Sequence, residues 1–313
     1  MLPILLLIAG IAVVMVGANL LVEGASSIAK KFQVSDLVIG LTVVALGTST
    51  PELTVSIYSA LNGESDLALG NVVGSNIFNV LVIAGIAALI YPINVQSNTV
   101  WKEIPFSFLA ALVVLVMAAD HFLDGSSVSV ISRSDGLVLL GFFLIFLYYT
   151  FLSAKQGQPD ELNNTVKTYS IGMSVLLILG GLVLLVIGGR LLVDNAVKIA
   201  EWLGMSKSVI GLTIVAAGTS VPELATSAVA AYKKNSDIAI GNVVGSNIFN
   251  SFLILGTSAT VTPLGLGNIT MTDLIICAGV SLFLFIHSYD LRISRIEGAV
   301  LLAGYIGYVI YLL

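Results

Sequence analysis

Apolar residues fall in ten long blocks separated by short polar breaks. A helix needs about 20 mostly apolar residues to cross a bilayer. The blocks therefore predict ten membrane-spanning helices, over residues 2–22, 37–61, 67–90, 103–119, 135–153, 171–192, 208–231, 238–262, 272–287 and 296–312. The longest polar interval, 154–170, contains Pro159 and reads as a short cytoplasmic linker, too small to fold alone. No Lys or Arg precedes the first block, unlike a secretory leader, so it is read as a span.

Composition removes the main alternatives. Of 313 residues, 10% are charged and 57% hydrophobic, and mean hydropathy is +1.04. A soluble domain is roughly a quarter charged, so a cytosolic enzyme is excluded. With 13 Lys+Arg against 18 Asp+Glu, so is a nucleic-acid binder. The single cysteine, Cys277, allows no intramolecular disulfide and no cysteine metal cluster. An all-α polytopic membrane protein remains, with the lipid bilayer as its surroundings and no resident cofactor expected.

Lys and Arg concentrate in cytoplasmic loops. With the N-terminus outside, the inner loops hold Lys30, Lys31, Lys102, Lys155, Lys167, Lys233, Lys234, Arg292 and Arg295, and the outer side holds Arg133, Arg190, Lys198 and Lys207. Both termini are therefore expected outside a cell (plasma or inner) membrane.

The chain is duplicated. Residues 39–85 align without a gap on 210–256, with 29 identities in 47 positions. The expected organisation is a first five-helix repeat over 1–153, the linker 154–170, and a second five-helix repeat over 171–313. Five is an odd number, so the second repeat must enter the membrane upside down. Inverted repeats are a transporter architecture, with the substrate site near the midplane where the repeats meet.

Two motifs recur at matched places. In GTSTPE (47–52) and GTSVPE (218–223), Pro51 and Pro222 lack an amide hydrogen, so the carbonyls of Gly47 and Gly218 lose their helical donors. Non-helical backbone at membrane depth is tolerated only against protein or a wet cavity. Glu52 and Glu223 follow the prolines, and mid-membrane carboxylates are costly and usually functional. Two of them at one depth repel unless cations or protons intervene. In GNVVGSNIFN (70–79 and 241–250), Ser75 and Asn79 share a helix face at i, i+4, as do Ser246 and Asn250. Those faces can add neutral oxygens. Calcium takes six to eight oxygens in flexible geometry, and no Cys or His accompanies the set, which disfavours zinc or copper. Asn71 and Asn242 are read instead as amides that satisfy the broken backbone of the neighbouring helix.

GTSxPE with GNxxGSNxFN, duplicated in a ten-span chain, resembles the two α-repeats of the cation/Ca2+ exchanger superfamily, and most of all its compact prokaryotic Na+/Ca2+ exchangers. The resemblance covers nearly the whole chain. It implies exchange of Na+ for Ca2+ by alternating access at one shared midplane site, by a carrier and not an enzyme; a monomer is expected. It also implies a ligand set: Glu52 and Glu223, oxygens of Thr48, Ser49, Thr219 and Ser220, then Ser75, Asn79, Ser246 and Asn250, with the carbonyls of Ala45 and Ala216. Relatives that co-transport K+ carry Asp at the place of Asn250, so K+ independence is implied, and electrogenic transport is expected. A proton-coupled exchanger and a cation channel are the rival readings. An intramembrane hydrolase lacks a His partner for its Ser/Glu set.

Other charges have plainer expectations. Glu23 and Asp194 match in the repeat and read as interfacial carboxylates. Arg190 and Asp194, at i, i+4, are expected to pair. Asp66 and Asp237 are expected to cap the helices that follow them.

Overall fold

A computed structural model describes residues 2–123, 125, 127–156, 167–204 and 216–312. Most of the linker (157–166), Lys207, and the start of the seventh block with the first residues of the second repeat core (to 215) lie outside the described residues.

The helices are α1 (Leu2–Phe32), α2 (Asp36–Thr48), α3 (Thr50–Leu61), α4 (Leu67–Ile90), α5 (Thr99–Met117), α6 (Arg133–Gln156), α7 (Ile171–Trp202), α8 (Ala216–Thr219), α9 (Val221–Tyr232), α10 (Ser236–Val261), α11 (Met271–His287) and α12 (Arg295–Leu312). Among the described residues, seven of them are long and apolar enough to cross a membrane, and the bent pair α2–α3 makes an eighth. The apolar α11 is shorter, at 17 residues.

Burial divides the helices into an inner and an outer set. The apolar window of α10 is 94% buried and that of α4 78%, against 28% for α1 and α7, 22% for α6 and 11% for α12. The outer faces carry exposed Leu5, Ile8, Leu144, Leu176 and Leu179, a surface suited to lipid and not to water. The two motif-bearing helices thus run through the centre. Their sequences show why they can: Gly, Ala, Ser and Asn replace bulkier residues where backbones meet. A Cβ added at Gly245 of α10 would stand 2.8 Å from the Leu41 carbonyl of α2.

Ser49 separates α2 from α3, which meet at 47°. Pro51 sits in the first turn of α3, where its missing N–H is no loss, and the matching Pro222 opens α9 in the same way. The inner helices also widen. Asn79–Ala84 in α4 and Phe249–Ile254 in α10 are π-helical turns, which re-aim side chains near functional sites.

The outer helices α1 and α7 extend to Phe32 and Trp202, beyond the predicted ends at 22 and 192. No proline follows the apolar stretch in either, so helix continues past it. At 31 and 32 residues they span about 46–48 Å, longer than the ~30 Å hydrocarbon layer, and must tilt to fit it. Gly10, Gly17 and Gly24 repeat every seven residues and bring the backbones together. A Cβ at Gly17 would lie 2.9 Å from the Gly181 carbonyl, and one at Gly181 would lie 2.7 Å from the Gly17 carbonyl.

Two short antiparallel pairs join the halves of the chain. β1 (Ile93–Asn94) pairs with β4 (Arg292–Ile293), and β2 (Val130–Ile131) pairs with β3 (Leu264–Gly265). Away from the centre, the buried Glu103 of α5 accepts a hydrogen bond from the Tyr149 hydroxyl of α6. Its Oε2 has no partner, nor have the Thr99 and Ser107 hydroxyls one turn to either side.

Two local expectations fail. Asn235, not Asp237, caps α10, accepting from the Ile238 N–H. Asp237 lies one residue inside the helix and accepts from Gln96 Nε2 at 2.7 Å. Arg190 and Asp194 form no ion pair; among the described residues the ion pair is Lys233–Glu23. Both Arg190 and Asp194 line a cavity, where water can solvate each and a pair gains little.

Candidate functional site

The two prolines set the site. Each starts a helix just after a break, so the residues around it present side chains and backbone to the protein centre. Thr48, Ser49, Glu52, Ser75, Asn79, Ser220, Glu223, Ser246 and Asn250 are all at most 2% exposed. Thr219 is half-buried at the end of α8, and Ala216 begins that helix.

The two halves grip each other's carboxylates. Ser49 Oγ donates to Glu223 Oε1 at 2.9 Å, and Ser220 Oγ donates to Glu52 Oε1 at 3.0 Å. Ser220 Oγ also lies 3.1 Å from Ser75 Oγ. Because each serine stands three residues before the glutamate of its own half, these crossed bonds bring the two glutamates to one place.

A second crossed pair bonds the backbone just past the breaks. Asn71 Nδ2 donates to the Glu52 carbonyl and to Ser56 Oγ, while its Oδ1 accepts from Thr219. Asn242 Nδ2 donates to the Glu223 carbonyl and to Ser227 Oγ, while its Oδ1 accepts from Thr48. These amides serve the backbone at the break, as their sequence reading has it. The Ala45 carbonyl accepts from the Ser49 N–H at 3.0 Å and the Thr48 hydroxyl at 3.4 Å.

Five oxygens at this place are buried with no hydrogen-bond partner: Glu52 Oε2, Glu223 Oε2, Asn79 Oδ1, Asn250 Oδ1 and Ser246 Oγ. All belong to the residues singled out in the sequence. Unpartnered buried polar atoms are rare because each costs free energy. Among the described residues, no Lys or Arg pairs with either glutamate. Two carboxylate oxygens, two amide oxygens and a hydroxyl are hard donors of the kind that Ca2+ or Na+ takes. Among the described residues, the chain supplies no paired cation that balances this site.

A cavity of about 260 Å3 approaches the breaks from one side. Pro51, Thr54, Arg190, Asp194, Thr219 and Pro222 line it. The counterpart of Asp194, Glu23, is engaged by Lys233 Nζ at 3.1 Å and by Tyr169 Oη at 3.1 Å.

The sequence reading did not assign separate roles to Asn76 and Asn247. Asn76 Nδ2 donates to Ser251 Oγ, and Asn247 Nδ2 donates to the Asn76 carbonyl. Their signal was their repetition alone, which their neighbours share.

Comparison with known proteins gives the family and the fold. The chain matches the family described as sodium/calcium exchanger protein over residues 2–152 and 173–313. It is 39% identical over 314 aligned positions to the putative antiporter CaxA of Alkalimonas amylolytica, covering 96% of this chain and 95% of that one. To the sodium/calcium exchanger MaX1 of Methanosarcina acetivorans it is 34% identical, covering 98% and 97%. A solved structure of the sodium-calcium exchanger NCX_Mj, soaked with Na+ and no Ca2+, superposes with a TM-score of 0.84 at 34% identity, covering 100% of this chain and 99% of that one.

Proposed function

The chain belongs to the sodium/calcium exchanger family, a compact prokaryotic type of membrane carrier, and on that premise we propose that it exchanges Na+ for Ca2+ at the site between Glu52 and Glu223. The observation that carries this reading is the set of five partnerless oxygens, two of them from the carboxylates themselves, with no Lys or Arg among the described residues paired to either carboxylate.

Ca2+ would be held by Glu52, Glu223, Asn79 and Asn250, with Ser246 beside them. Ser49, Ser220, Thr48 and Thr219 would turn toward Na+ or Ca2+ as the site exchanges. Ser75, Ala45 and Ala216 complete the set. Ca2+ brings two charges to two carboxylates, and Na+ ions replace it. The vacant doubly negative site resists crossing a low-dielectric barrier, since stripping water from an unpaired ion costs several kcal/mol even after relaxation. Exchange is then obligatory without a separate lock.

The reading includes ten spans in two inverted five-helix repeats, 1–153 and 171–313, joined by the linker. It includes both termini outside the cell membrane, a monomer, alternating access, independence of K+ and electrogenic transport. The crossed bonds between equivalent residues support the inverted pairing. Asn250, where a carboxylate would add charge for a further cation, supports K+ independence.

Flux into proteoliposomes tests it. Na+-loaded vesicles should take up radiolabelled Ca2+ without K+, and E52Q or E223Q should abolish uptake. Full activity in both variants overturns the ligand assignment. Uptake driven by a pH gradient without Na+ establishes the proton-coupled reading instead, and flux without any counter-ion establishes the channel.

A further inference from the structure

An asparagine amide has a donor end and an acceptor end of nearly the same size. At a cation site only the acceptor end is useful. Turned by half a revolution, the same side chain aims two hydrogens at the ion. Asn79 and Asn250 are each 1% exposed and leave Oδ1 without a partner, the correct end for a cation. What keeps them that way round is the second asparagine pair.

Asn79 Nδ2 donates to Asn247 Oδ1 at 3.0 Å. Asn247 Nδ2 in turn donates to the backbone carbonyl of Asn76 at 3.4 Å. A carbonyl can only accept, so it fixes Asn247 with its nitrogen toward the backbone and its oxygen toward Asn79. Asn79 must then present its nitrogen to Asn247, and its oxygen is left facing away. The polarity is passed from backbone to amide to amide. On the other side Asn250 Nδ2 donates to Asn76 Oδ1 at 3.1 Å, and Asn76 Nδ2 donates to Ser251 Oγ at 2.9 Å. A hydroxyl can donate or accept, so this second chain ends on a group that does not dictate direction. The first repeat has Val80 where the second has Ser251, so the two arms differ in chemistry as well as in position.

We infer that Asn247 is a positioning residue that selects which end of Asn79 faces the transported cation, with Asn76 holding Asn250 less strictly. Resting on the reading of Glu52 and Glu223 as cation ligands, this adds residues that touch no ion but decide the ion's affinity. Ca2+ binding weakens when Asn247 loses its acceptor, because Asn79 is then free to turn its hydrogens inward.

A double-mutant cycle tests it, with Ca2+ KM in proteoliposomes as the readout and monodispersity in detergent as the check on folding. N247L should raise the KM for Ca2+ about tenfold, the equivalent of 1.4 kcal/mol. N247A makes the same cut with less bulk and serves where the leucine is not accommodated. In an N79D background a carboxylate has no wrong end, so N247L should then change KM less than twofold relative to N79D alone. An equal loss in both backgrounds shows that Asn247 only supports packing and overturns the inference, as does an unchanged KM in N247L and N247A. Failure of the underlying reading looks different: E52Q and E223Q would then retain uptake.

Discussion

Lys233 Nζ lies 3.1 Å from Glu23 Oε1, tying the C-terminal end of α9 to the long outer helix α1. Tyr169 and Asn19 bond the same carboxylate. The equivalent carboxylate in the second half, Asp194, lines the cavity that reaches the proline breaks. One carboxylate is engaged and its counterpart lines a cavity, so the two halves differ at these matched positions. Both partners of the tie are about 30% exposed, which limits it to at most about 1 kcal/mol. K233M should therefore change exchange rate by no more than about fivefold. Raising ionic strength with choline chloride should bring the wild type toward the variant, because exposed pairs are screened.

The crossed serines invite a matched pair of substitutions. Each donates to a buried carboxylate, a bond worth about 2 kcal/mol. S49A and S220A should each raise the KM for Ca2+, by about thirtyfold, and by similar factors, because each serves the glutamate of the other half. A large effect in one and none in the other, measured by uptake titration, would contradict the equivalence of the two carboxylates.

The glycine seam between α1 and α7 predicts a position-specific cost. A Cβ at Gly17 meets backbone atoms of α7, which cannot swing aside as a side-chain tip can. G17A should cost about 1–3 kcal/mol. Gly141 of α6 faces open space, and G141A should be neutral or raise stability by up to about 1 kcal/mol. Melting temperatures of the two variants in one detergent make the comparison.

Glu103 and Tyr149 predict a stability effect without a transport effect. Y149F removes the hydrogen bond to a buried carboxylate, and should lower stability by about 1–3 kcal/mol. T99V replaces a buried hydroxyl that has no partner, and should be neutral or stabilising. The KM for Ca2+ should stay unchanged in both, measured alongside thermal melting.

The sequence made the centre legible because its signals were chemical and repeated. Pro51 and Pro222 suit only the first turn of a helix, so each marks a fresh start just after a break, and matched glutamates beside them have few uses in lipid. The bend between α2 and α3 and the crossed serine–glutamate bonds follow from those residues. What the sequence did not reveal depends on distant partners. Glu103 meets Tyr149, 46 positions away, and Asn247 meets Asn79 across 168. Local rules failed where tertiary surroundings outweighed them. Arg190 and Asp194 have helix-pair spacing but face a cavity, and Asn235 takes the cap expected of Asp237. Block lengths understated α1 and α7, since helix formation does not stop where lipid does.

The short strand pairs carry a mechanical consequence. β1 and β2 belong to the first half, and their partners β4 and β3 to the second, so each half is buckled to the other at two separate places. A carrier that keeps both pairs closed through its cycle must move elements outside them, such as α1 and α7, which neither buckle includes. A cysteine pair at Asn94 and Arg292, register partners in β1 and β4, should therefore leave ion flux intact after oxidation, and an arrested carrier would show that the buckles themselves must open.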